Sequence, residues 1–379
     1  ASLAALRKEG RPGNDPAWRA LYLAAARERR ALRLKKLVAK TRRVFFTRHC
    51  LIAAPGNISS NQHPSDRRGP SSGTGKSFNG KPLYLTWEPG AELCLLTLDD
   101  DGNATVETVL ETPDGFIRDP ALSYDGRTLA FARRERFYTD DFQIYLMDVE
   151  TRRTTRITAP LSPDHPISNI YPCFLPNGRI MFQSTRCAQL DPCGWDQTGT
   201  FFSMRPDGTD VRRLTADQVS TMLPTVMDDG RVLYTRWEYN DRTPVYVQPL
   251  FTMNEDGTSQ AEFYGNDSWF PTSLMHARGI PGTGKAMAIA SGHHVLQKGK
   301  LVIVDPRKGT EEEAGIEYIC SSAPDGTRGR KAASDIPLKH DKGQHLDGFG
   351  QEGPQFAHPF PLGEDNILVS FTADGYQGF

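Results

Sequence analysis

Histidine, cysteine and aspartate are the usual protein ligands of divalent metals. Five of them, His293, His294, His358, Cys173 and Asp119, fall where strand topology can gather them at one place. A divalent ion such as zinc is the cofactor such a set would take. No H-x-x-x-H spacing anchors it, and adjacent His293 and His294 would point to opposite faces of a strand, so that one ligates and the other only hydrogen-bonds. A second group suits anions and rings. Arg236-Trp237-Glu238 sets a cation, an indole and a carboxylate in a row, and Arg186 and His49 stand at corresponding strand ends. Such a tip either holds a sugar or anionic ligand by stacking and ion pairing or closes on itself as a salt bridge under an aromatic lid. Cys187 and Cys193 enclose only Ala188 to Pro192 and are a candidate disulfide, which would place the chain in an oxidising compartment; the alternative is two free thiols.

Other matches fail on context. Gly69-Pro70-Ser71-Ser72-Gly73 spells a hydrolase elbow but lies in a polar loop with no strand before it or helix after it. Gly75-Lys76-Ser77 resembles the end of a phosphate loop, yet Pro70 stands where its first glycine belongs. Gly279 to Lys285 has the glycine and lysine spacing, but Ala286 replaces the hydroxyl that would hold magnesium. None of the six cysteines forms a C-x-x-C-H haem attachment site or a C-x-x-C pair, so this segment carries no covalent haem.

The elements that must position the candidates follow from a repeat. A basic or polar residue opens a short apolar strand beginning at Arg43, Arg127, Arg179, Arg231, Lys285 and Asn366, at steps of 84, 52, 52, 54 and 81. A period near 50, lengthened twice by insertions, predicts an all-β fold: a β-propeller of about six four-stranded blades over residues 43–379. Asn177-Gly178, Asp125-Gly126 and Asp229-Gly230 supply the positive φ that tight hairpins need, and Asp207-Gly208 and Asp256-Gly257 supply further turns. Pro120, Pro172, Pro224, Pro271 and Pro359 are expected at the first position of inner strands, where a missing N–H does no harm. The chain stops soon after the last repeat, so the last blade is read as incomplete and the chain as part of a longer protein.

Residues 1–14 read as a disordered lead. An amphipathic basic helix packed on the propeller is expected over 15–41, capped by Asp15-Pro16, with Trp18, Leu21, Tyr22, Ala25, Leu32 and Leu37 as its apolar stripe. Lys+Arg 45 against Asp+Glu 46 leaves no global field for nucleic acid, and no apolar run is long enough to span a membrane. In a propeller, inner-strand starts and the loops after second strands share one face around the central channel. Asp119, Tyr171 with Cys173, Phe270 and His358 belong to the first set, and His49, Arg133, Arg186, Arg236 and His293-His294 to the second.

The phrases Tyr171-Pro172-Cys173-Phe174-Leu175-Pro176-Asn177-Gly178, Tyr234-Thr235-Arg236-Trp237-Glu238-Tyr239, Leu250 to Thr258 and Ser291-Gly292-His293-His294 resemble, as a set, the TolB-like, WD40-like propeller proteins related to the hydrazine synthase alpha subunit. That resemblance implies a periplasmic or extracellular propeller within a multidomain protein. It also implies Cys173 as the candidate for a zinc-site cysteine, while the missing haem motif gives no ground for hydrazine chemistry. The expected role is a scaffold or binding module whose loop-rich face contacts a small-molecule or carbohydrate ligand, a protein partner or other domains of a longer chain. The alternative is a metal-dependent enzyme: redox, with haem domains elsewhere, or a polysaccharide lyase in which Arg186 and Arg236 neutralise a uronate carboxylate.

Overall fold

The computed structural model describes residues 2–51, 87–136, 140–160, 167–190, 197–239, 247–268, 270–292, 297–312, 314–322, 328–332, 350 and 353–373. The chain divides into two compact units, Ala1–Phe46 with Leu93–Leu110, and Thr47–Glu92 with Glu111–Phe379.

The first unit holds two helices, α1 (Leu3–Lys8) and α2 (Pro16–Val38). A disordered lead was expected where α1 forms; Ser2 Oγ caps it by accepting from the Ala5 N–H, and Leu6 is buried. Asp15 Oδ1 accepts from the Ala17 N–H at 2.8 Å, with Pro16 in the first turn as expected. Trp18, Leu21 and Leu37 are partly covered, whereas Tyr22, Ala25 and Leu32 are exposed. The covered face passes instead through Leu34, whose Cβ would lie 2.7 Å from a Cβ placed on Gly102; with φ +80° as well, that turn admits only glycine readily.

Strands β1 (Arg43–Leu51), β2 (Trp87–Leu98) and β3 (Ala104–Thr112) pair in that order in one sheet. The second unit continues with β4 (Phe116–Leu122), β5 (Thr128–Arg134), β6 (Gln143–Asp148) and β7 (Thr154–Arg156) in one sheet. The next holds β8 (Asn169–Phe174), β9 (Ile180–Ser184), β10 (Thr200–Met204) and β11 (Arg212–Arg213), followed by β12 (Thr221–Val226), β13 (Val232–Arg236), β14 (Leu250–Met253) and β15 (Ala261–Tyr264). Five strands follow, β16 (Ser273–Gly279), β17 (Ala286–Ser291), β18 (Lys300–Val304), β19 (Ile316–Ser322) and β20 (Arg328–Ala332), and then the pair β21 (Gln355–Pro361) and β22 (Ile367–Thr372).

The five sheets from β4 to β22 are the antiparallel blades of a β-propeller, so among the described residues there are five blades, where about six were expected. The difference lies at the first repeat. The strand from Arg43 has no inner strand in its sheet among the described residues. Blade cores fill with apolar side chains from consecutive sheets: Leu175, Met181 and Phe201 pack with Val232, Tyr234 and Met253, and Leu233, Leu250 and Tyr264 with Leu274, Ala288 and Val302. Each fully buried Leu, Val or Phe contributes about 1.5–3 kcal/mol, so this packing fixes where the inner strands lie. The expected glycine turns recur at Gly208 (φ +84°) and Gly257 (φ +86°), where an added Cβ would strike Ile157 O at 2.2 Å and Leu214 O at 2.5 Å.

Innermost strands succeed one another around the unit, β4 beside β8, β8 beside β12, β12 beside β16 and β16 beside β21. Pro120, Pro172, Pro224 and Pro359 lie inside these strands rather than at their starts, and Pro271 precedes β16 altogether. Their place is explained by a bulge repeated in all five strands.

Candidate functional site

In β4 the pairing jumps from Arg118–Ala132 to Ala121–Ala130, so Asp119 and Pro120 together face Phe131. The same two-for-one step sets Tyr171-Pro172 against Phe182, Leu223-Pro224 against Tyr234, His276-Ala277 against Ala288, and His358-Pro359 against Val369. A bulge leaves a residue unpaired, and proline, which has no N–H to lose, fits its second position. The first position adopts left-handed backbone every time: Asp119 φ 56°, Tyr171 53°, Leu223 59°, His276 53° and His358 52°. For a non-glycine residue this costs about 1–2 kcal/mol.

The side chains at these bulges meet others from neighbouring strands. Asp119 Oδ2 accepts from Arg118 Nε at 2.8 Å and from the Tyr171 backbone N–H at 3.2 Å, linking β4 to β8. The Arg118 guanidinium lies over the Tyr171 ring at 4.8 Å and the Phe142 ring at 5.7 Å. His276 and His358 meet edge to face with centroids 4.1 Å apart, and His49 stacks on Phe116 at 4.7 Å. Arg118 lowers the pKa of His49, His276 and His358 together, so the first inner strand acts electrostatically on the last two. Two residues beyond the bulges, Arg278 lies over the Phe360 ring at 4.7 Å and near the Cys173 thiol.

Burial, then the neighbouring charges of Arg118 and Arg278, holds His358 down at about 4; burial, then His358 and Arg118, holds His49 at about 3. His276 is pushed well below the ordinary value, mainly by burial. All three are neutral imidazoles at pH 7. Burial raises the Asp119 carboxyl against the opposing pull of Arg118, and raises the Cys173 thiol to about 11, leaving it protonated. His358 nevertheless keeps exposed surface, and His49, Asp119 and His276 are only partly covered. These four side chains are packed among protein atoms and still keep surface open to water. Tyr171, 5% exposed, has its Oη buried without a well-formed hydrogen bond, as does Nε2 of His276, although Gln297 lies beside both.

Of the residues singled out in the sequence, the ring gathers Asp119, His358 and His49, with Cys173 near Arg278. Asp119 is engaged by Arg118, and Cys173 packs against the apolar core of its blade. Among the described residues no group of three or more histidines, cysteines, aspartates or glutamates could hold a metal ion; His293 and His294 lie outside the described residues. Cys187 is a free thiol, and Cys193 also lies outside them.

Arg186 and Arg236 are held within their own sheets. Arg186 bonds Ser184 Oγ at 3.0 Å and Asn169 Oδ1 at 3.2 Å and lies over Phe182 and Phe202. Arg236 pairs with Asp217 at 3.2 Å and Glu238 at 2.8 Å above the Phe251 ring, and Trp237, 3% exposed, meets Tyr239 edge to face. Sequence reading missed Arg118, His276 and Arg278. The steps of 52 from Asp119-Pro120 to Tyr171-Pro172 and on to Leu223-Pro224 point to His276 one step of 53 later, but Ala277 stands where proline would have marked it.

This propeller arrangement is shared with hydrazine synthase of Kuenenia stuttgartiensis, at a TM-score of 0.59 and 15% identity over 89% of this chain and 44% of that one. TolB from Acinetobacter baumannii aligns at 0.43 and 18% identity over 76% of this chain and 60% of that one. An oligogalacturonate lyase solved in complex with manganese aligns at 0.40 and 12%, over 75% and 72%. At these identities the likeness is one of fold, and the chain spans less than half of the hydrazine synthase chain it matches. No protein-family model and no curated protein matches the chain.

Proposed function

We propose that this chain is the propeller binding module of a secreted or periplasmic protein, and that the inner-strand ring of Asp119, Tyr171, His276 and His358, with Arg118 and His49 beside it, receives a small polar ligand. One observation carries the reading: five inner strands break their ladders at the same step to hold a non-glycine residue in left-handed backbone, and four of the five side chains are polar. Strain kept in five equivalent places, three of them (Asp119, His276 and His358) with side chains that touch water, is what a functional site maintains and a purely structural strand would lose. The resemblance of the blade phrases to TolB-like and hydrazine-synthase-like propellers supports the compartment.

The test is thermal-shift screening of the purified chain against sugars, organic acids, amino acids and divalent cations, with His358→Ala and Asp119→Asn in parallel. A compound that raises the wild-type melting temperature and loses its effect in both variants supports the ring as the binding site. Ligands indifferent to both substitutions, or no ligand at all, would overturn it and leave the loop-rich face to a partner or a neighbouring domain.

A further inference from the structure

Resting on that reading of the ring, we propose that its ligand is a small oxyanion, a carboxylate or phosphate group, with the Arg278 guanidinium as its main anchor. Formal charges at the ring favour one. Among the described residues the ring holds two guanidinium groups, Arg118 and Arg278, and one carboxylate, Asp119, which Arg118 already engages. His49, His276 and His358 are neutral and Cys173 is a thiol, so none of them offsets Arg278. Among the described residues the Arg278 side chain makes no ion pair and no hydrogen bond; its contacts are the Phe360 ring and the neighbouring Cys173.

Arg278 is only partly exposed and has no counter-charge among the described residues, and an entering anion supplies one with two parallel N–H···O bonds, a geometry carboxylate and phosphate share. The other fittings suit the same guest. Tyr171 Oη, beside Gln297 and Arg118, and His276 Nε2, beside Gln297, are buried without well-formed hydrogen bonds and can turn to an entering oxygen, while the Phe360 ring lies 4.7 Å from the Arg278 guanidinium. A cation would meet Arg118 and Arg278 at once. A neutral sugar would leave Arg278 as it is.

The experiment is isothermal titration calorimetry of the whole chain with succinate, inorganic phosphate and glucose 1-phosphate, and with the uncharged analogues succinamide and glucose. Arg278→Gln, Arg278→Lys and His358→Ala are titrated beside wild type, with circular dichroism confirming that each is folded. At least one oxyanion should bind while its neutral analogue does not. Arg278→Gln should weaken it by about 10-fold or more, the usual worth of a charged hydrogen bond. Arg278→Lys, which keeps charge without the fork, should fall between. Carboxylate and phosphate arms identify which oxyanion the ring takes. Oxyanions binding no better than their neutral analogues, or equally well in Arg278→Gln, overturn the anion assignment. If a neutral compound then binds and His358→Ala abolishes it, the ring remains a ligand site of another class. If no probe responds to either substitution, both readings fall.

Discussion

Arg236 and Arg278 make an instructive pair: both are strand-end arginines stacked on a phenylalanine, at 4.9 Å from Phe251 and 4.7 Å from Phe360. Arg236 stands between Asp217 and Glu238, two largely buried carboxylates that neutralise it twice over. Arg278 faces a protonated thiol and two neutral imidazoles. A cation satisfied by its own fold is a structural part, whereas a cation left over is available to something else. In sequence the first looks the more functional, because its carboxylate is adjacent; that same adjacency is what satisfies it.

The difference can be broken or sharpened by measurement. Arg236→Gln should have the largest effect, destabilising the fold by about 3 kcal/mol, because it strands two carboxylates in a low-dielectric place. Urea unfolding reads this directly, and a loss below about 1 kcal/mol would mean that water already screens the trio. Asp119→Ala should cost about 2 kcal/mol by freeing Arg118 and the Tyr171 N–H, and Asp119→Asn less, since asparagine tolerates left-handed backbone.

The ring histidines give a slope rather than a step. Their native pKa values lie below the ordinary 6.5, about 4 for His358 and about 3 for His49, so as pH falls through 6.5 the unfolded chain takes up protons that the native chain refuses. Their contribution is level above the ordinary value and turns against folding between 6.5 and about 4, where His358 begins to charge. The charged groups acting on His358 are Arg118 and Arg278, which hold it down; Asp119, whose pKa is raised, works in the opposite direction as one site against three. Urea midpoints should therefore fall between about pH 7 and pH 4.5, and His358→Gln should flatten the decline. Unchanged midpoints would mean that the imidazoles are hydrated and unshifted. Arg278→Gln should be the smallest effect, within about 0.5 kcal/mol of wild type or slightly stabilising, since no counter-charge among the described residues is lost. A loss as large as that of Arg236→Gln would erase the distinction between the two sites.

Much of the architecture was legible because a propeller repeats. The step of 52 in the strand openings and again in Asp119-Pro120, Tyr171-Pro172 and Leu223-Pro224 reflects blades of equal length. The count of six was too high for the described residues because strand-opening residues mark second strands, and the one at Arg43 enters a sheet that has no inner strand among them. Asp119, His358 and His49 were found through topology. Arg278 stayed hidden because nothing in Met275 to Gly279 tells whether a counter-charge waits on another strand. His276 stayed hidden because its bulge carries alanine in place of proline. Pairing and its absence are properties of three dimensions, and a linear pattern shows only partners that happen to be adjacent.

The repeated bulge also bears on how such a molecule can change. A residue outside the ladder can be exchanged without shifting the register of its strand, so each of the five positions can mutate while the blades around it stay in place. Left-handed backbone narrows that exchange towards asparagine, aspartate, histidine and glycine. Three of these four carry donors or acceptors, so the conformation itself keeps returning reactive side chains to the channel. Descendants of such a fold would tend to differ in what the ring binds before they differ in shape.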